Sequence, residues 1–159
     1  MPVLEFFESL QYSAPLVAMR SSPWLFAAIA SVHLMGLAVT GGAVLAVDLR
    51  LLGLGLTRQP VAYVAREAEP WLLGSLAVML STGILQFMCF AATKYYYLTS
   101  FWVKMSVLPL AVVFTFTVRR RVAMSDDPRV HPLWSRVVAL VSLALWTAVG
   151  ISGRLIGLP

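Results

Sequence analysis

The stretch 23-PWLFAAIASVHLMGLAVTGGAVLAVDLRLLGLG-55 decides how the rest of the chain is read. From Pro23 to Val47 it contains no charged side chain. About 20 apolar residues are enough for a helix to cross the hydrocarbon core of a bilayer. The stretch therefore predicts a membrane-spanning helix that ends at Asp48-Leu49-Arg50 and the glycines Gly53 and Gly55. One histidine, His33, sits inside it, about ten residues past Pro23 and roughly 15 Å deep at 1.5 Å per residue. An imidazole at that depth has to face protein, water or a ligand, because facing lipid is expensive.

Working outward, the pattern repeats. Spans are expected at about 23–48, 70–92, 99–118 and 133–155, joined by short polar loops, within a single domain covering residues 1–159. Ahead of them, Val3, Phe6, Phe7, Leu10, Ala14 and Val17 recur near helical spacing between Glu5, Glu8 and Gln11. That predicts an amphipathic helix lying at the interface. Ser22-Pro23 supplies a cap and a first-turn proline for span one. Pro70 and Trp71 are read as the entry to span two, Lys94-Tyr95-Tyr96-Tyr97 as an interfacial belt, and Pro109 as a kink in span three. The predicted fold class is all-α: an integral membrane four-helix up-down bundle with an interfacial amino-terminal helix.

Composition agrees. The 159 residues are 60% hydrophobic and 12% charged, against about 25% charged in soluble domains. The net charge of +5 comes from arginines in short loops beside apolar spans, so topology explains it and no nucleic-acid partner is expected. Arg50, Arg58, Arg66, Arg119, Arg120, Arg121 and Arg129 fall in the loops after spans one and three. These loops are expected on the cytoplasmic side of a bacterial inner membrane, with both termini outside. The start, MPVLEFFESL, is acidic where a cleavable leader is basic, so insertion through the chain's own helices is expected. The single cysteine, Cys89, excludes an intrachain disulfide.

Neither a Ser-His-Asp set nor a phosphate loop nor a dinucleotide fingerprint is present, which argues against a hydrolase or kinase. What remains is a constellation in the outer half of the bundle. His33 has Gly36 one turn away, leaving a gap that a helix or a flat cofactor could fill. Lys104 near the start of span three and Arg154 at the end of span four add two cations, with no acid in the spans on that side. Snorkelling would satisfy both without a ligand. An anionic ligand such as heme propionates would satisfy them together. His33 with methionines could instead suit Cu(I), although no HxxxH, MxxM or CxxC spacing occurs. Asp48 is expected to pair with an arginine of a neighbouring helix end, and His131 is expected in a solvated loop.

The motifs RSSPW, the histidine ten residues after that proline, DLRLLGL, the later Pro-Trp entry, Phe101-x-x-Lys104 and SLALWTAVGISGRLI resemble an uncharacterised bacterial family of four-helix membrane proteins. More distantly the chain looks like copper-resistance-D-like membrane proteins and four-helix, heme-binding protoporphyrinogen oxidases. The latter resemblance implies heme b on a span-one histidine, with His33 and Lys104 as the matching positions. No second in-span histidine is available for a bis-histidine heme. The functional expectation is a small heme-b-binding subunit, more an electron-transfer partner than an enzyme, working with membrane lipids and with membrane or periplasmic subunits or further copies of itself. Cofactor binding is assigned to His33, Gly36, Lys104 and Arg154, and metal ligation to His33. Copper handling and a cofactor-free scaffold are the alternatives.

Overall fold

The computed structural model describes residues 2–90, 94–125 and 132–156. Two short helices, α1 (Pro2–Gln11) and α2 (Ala14–Ser21), precede α3 (Pro23–Leu52) and α4 (Val61–Phe90). A 3₁₀ turn, Tyr95–Tyr97, leads into α5 (Thr99–Phe114), a π-helical turn (Thr115–Arg119) and α6 (Arg120–Met124), and the chain returns through α7 (Pro132–Ile156). Residues Thr99–Met124 form one continuous rod, so four rods are long and apolar enough to span a membrane. No strand occurs among the described residues.

The rods alternate in direction and pair as α3 with α4 and α5–α6 with α7, while α3 against α7 joins the two pairs. Only 22–33% of the most apolar window of each rod is buried. Most apolar surface therefore points outward, the inverse of a soluble bundle. Beside buried apolar side chains such as Val44, Val47, Leu72, Met79 and Val138, the inside holds many small or polar residues: Gly36, Thr40, Asp48, Ser75, Ala111, Thr115, Arg119, Ala139, Ser142 and Ser152 are all buried. Small residues let membrane helices approach closely where hydrophobic burial gives no drive. Gly36 does this most tightly, since a Cβ there would lie 3.2 Å from the Ser75 carbonyl oxygen of α4. Tryptophans sit outward towards both ends, Trp24 and Trp102 at one and Trp71 and Trp134 at the other, as interfacial anchoring requires.

Local chemistry explains the boundaries. The Ser22 side chain accepts a hydrogen bond from the Leu25 amide and Pro23 opens the first turn, while Gly53 closes α3 at φ +78°, a conformation glycine adopts without penalty. Three elements differ from the sequence reading. The amino-terminal amphipathic stretch is two helices, because Pro15 starts a new first turn after Ser13. Both fold against the bundle, where Arg20 donates to the Cys89 carbonyl at 2.9 Å and lies over the rings of Tyr12 and Phe90. Second, α4 begins at Val61 rather than Pro70. Residues 61–69 are helical because Ala62, Val64 and Ala65 are buried, and exposed Pro70 costs only a hydrogen bond on the solvent-facing side. Third, the rod of span three runs on to Met124, and its register shifts at the π turn. The expected end of span two at Ala92 and the loop at 126–131, with His131, lie outside the described residues.

Candidate functional site

Two polar clusters occupy the interior, one towards each end. For convenience the end with Arg50, Arg58, Arg66 and Arg119–Arg121 is the arginine end; the other, carrying α1 and α2, is the amino-terminal end.

At the amino-terminal end, α3 and α4 hold His33 between them. Its Nδ1 lies 2.9 Å from Thr82 Oγ1. The Thr82 hydroxyl has one proton, and at 2.6 Å from the Val78 carbonyl oxygen it donates there. When it donates there it accepts from His33, and in that arrangement Nδ1 carries the hydrogen and Nε2 keeps its lone pair. That is the tautomer of a ligand or base whose far nitrogen is fixed by a second residue. Gly83 completes the seat: a Cβ there would stand 3.2 Å from His33 Cε1. Gln86 donates to the Thr82 carbonyl at 3.3 Å and Thr40 pairs with Ser75 at 2.8 Å, so neither serves His33.

Lys104 reaches the same region from α5. Its Nζ lies over Gly153 of α7, 3.5 Å from where a Cβ would be. Above it, Phe101 stacks on Phe87 at 5.0 Å and on Tyr95 at 5.6 Å, tying α5 to the end of α4. Arg154 is exposed at the rim. His33 and Lys104 thus lie towards the same end of the bundle, His33 between α3 and α4 and Lys104 against α7. Gly36 does not open a slot beside the imidazole, because the backbone of α4 fills that gap.

The fit to heme b rests on donor chemistry. His33 would offer Nε2 on a ring in contact with Thr82 and Gly83, and Lys104 and Arg154 would offer cations for carboxylates. The gaps at Gly36 and Gly83 are filled by α4 and by His33 itself, so a ligand would reach Nε2 from another side. Among the described residues, no group of three histidine, cysteine or acidic side chains could hold a metal alone.

At the arginine end, Asp48 is fully buried and accepts from Arg119 Nε at 2.6 Å. Arg119 Nη2 also donates to the Val44 carbonyl at 3.0 Å. The next residue, Arg120, pairs with Glu69 of α4 at 2.8 Å on the surface. Two consecutive arginines therefore tie one rod to α3 and to α4. The expected partnership of Asp48 with an arginine of a neighbouring helix end holds. The π turn that aims Arg119 was not legible: Thr117 donates to the Val113 carbonyl at 2.6 Å and competes with the backbone ladder there. Thr115 accepts from Trp146 Nε1 at 3.0 Å, which fixes α7 beside the turn.

Residues 20–159 match the model of a family described as of unknown function, DUF6644. No curated protein and no solved structure matches the chain, so nothing supports the more distant likeness to copper-resistance-D-like proteins and protoporphyrinogen oxidases.

Proposed function

Since the chain belongs to this family of unknown function, its role is argued from its own residues, and we propose a small membrane subunit that binds heme b through His33. The observation that carries this reading is the contact of His33 Nδ1 with Thr82, an arrangement in which Nε2 would serve as the donor inside a membrane helix. An in-span histidine is costly to keep and by default marks a functional site. Lys104 and Arg154 would neutralise the propionates at the amino-terminal end. The group, when bound, would supply one-electron transfer to a membrane or periplasmic partner. The chain's residues would hold and orient it and would keep lipid from the ring. With arginines concentrated in two loops, the arginine end is assigned to the cytoplasm and the amino-terminal end to the outside of a bacterial inner membrane.

The test is composition. Protein purified from heme-replete cells is analysed for iron, copper and extractable heme per chain. Stoichiometric iron with heme supports the reading. Copper without iron moves His33 to a copper site, and neither metal leaves a cofactor-free scaffold.

A further inference from the structure

At the arginine end, α3, α4, α6 and α7 come together around a cavity of about 310 Å³. Small-molecule sites run from about 300 to 1,000 Å³, so this one suits a headgroup or a small anion. Its polar wall is Arg50 of α3, Ser125 at the end of α6, and Ser135 and Arg136 of α7. Leu51, Val61 and Val122 form an apolar wall, and no acidic side chain of the described residues lines the space. Neither arginine is neutralised by a described residue. Arg50 donates from Nε to the Gln59 carbonyl oxygen at 2.6 Å, which holds the guanidinium in place and leaves both Nη groups. Arg136 makes no hydrogen bond or ion pair with another described residue. The neighbouring arginines differ, since Arg119 is taken by Asp48 and Arg120 by Glu69.

We propose that this cavity binds a phosphate group through Arg50 and Arg136, with the ligand's carbon skeleton against Leu51, Val61 and Val122. The planar guanidinium presents paired N–H donors that match phosphate oxygens. Two cations lining one cavity repel each other, and an anion bound there removes that cost. Arg50 is already held by Gln59, so less order is lost on binding. Phosphate reaches this end of the molecule from two sources. One is the headgroup of an anionic lipid, which basic pockets between membrane helices take up; the other is soluble phosphate and its esters. The apolar wall fits the glycerol side of a lipid headgroup. The sequence holds one competitor, Asp126-Asp127, directly after Ser125. The site does not depend on any cofactor at His33, and its test is separate.

The full chain, delipidated in a neutral detergent, is titrated with short-chain phosphatidylglycerol and with inorganic phosphate. Binding is read by native mass spectrometry and by the arginine side-chain N–H signals. Phosphatidylglycerol should bind saturably and shift the Arg50 and Arg136 signals. Arg136→Gln breaks no contact with a described residue and should weaken binding about tenfold, the loss of one hydrogen bond to a charged group. Adding Arg50→Gln should abolish saturable binding. Arg58→Gln with Arg66→Gln removes the same charge from exposed positions outside the cavity and should leave affinity little changed. Lipid binding that inorganic phosphate does not displace assigns the site to a headgroup. Inorganic phosphate bound with the same dependence on Arg50 and Arg136 assigns it to soluble phosphates. An equal loss in the Arg58 and Arg66 variant would reduce the site to general surface charge and overturn the proposal. So would no saturable binding of either probe, or binding only after Asp126→Asn and Asp127→Asn.

Discussion

At the scale of the residue, the two interior clusters make opposite demands. Thr82 orients His33 without charge, and its role divides cleanly by substitution. Thr82→Val should remove the acceptor at Nδ1, and nitrogen chemical shifts of His33 should then show a mixture of tautomers; Thr82→Ser should restore one form. A single unchanged tautomer in Thr82→Val would refute this orientation. Asp48 and Arg119 are a different case, because removing one partner strands the other. Asp48→Asn should cost roughly 3–5 kcal/mol at full burial, read as a loss of thermal stability in detergent. Joint replacement by Asp48→Leu and Arg119→Met should recover much of it. The pairing of Asp48 was legible because an ionisable residue in an apolar run has few options. Thr82 was not. A threonine in a membrane helix is ordinary, and only its position across from His33 distinguishes it.

The elements carry the same lesson in their boundaries. Span one was readable to its cap, because Ser22-Pro23 and Gly53 are local signals whose chemistry needs no partner. The start of α4 was not, since residues 61–69 look like a polar loop until Ala62, Val64 and Ala65 find α3 and α6 to pack on. The π turn is the extreme case, being stabilised by Arg119 reaching Asp48 and Arg120 reaching Glu69, contacts more than 50 positions away in sequence. Deleting Val118 should remove the extra residue that the π turn accommodates and leave a plain α-helix with Arg119 still facing Asp48. Inserting one alanine after Val112 should instead rotate Arg119 away from Asp48 by about 100°, the turn per residue at 3.6 residues per turn, and thermal stability should fall about as far as in Asp48→Asn. Wild-type stability in the insertion variant would show that register at the π turn does not aim the pair. Gly36, read as a slot for a cofactor, is instead the closest approach of α3 to α4. Glycine alone does not tell which kind of neighbour uses its gap.

For the whole molecule, the inverted distribution of apolar and polar groups was evident from composition and span length. The pairing of rods was not, because four similar apolar helices admit several arrangements and only the interior polar contacts select one. The proposed orientation rests on the arginines of the two loops. A periplasm-active reporter fused after Pro159 should be active, and activity of a cytoplasm-only reporter there would reverse the assignment. The central claim, that His33 holds heme b, has one decisive measurement: the visible absorption spectrum of the purified full chain from heme-replete cells, beside His33→Ala and His131→Ala. The account predicts a b-type Soret band in the wild type that is retained in His131→Ala and lost in His33→Ala. A colourless wild type, or a band that survives in His33→Ala, would contradict it.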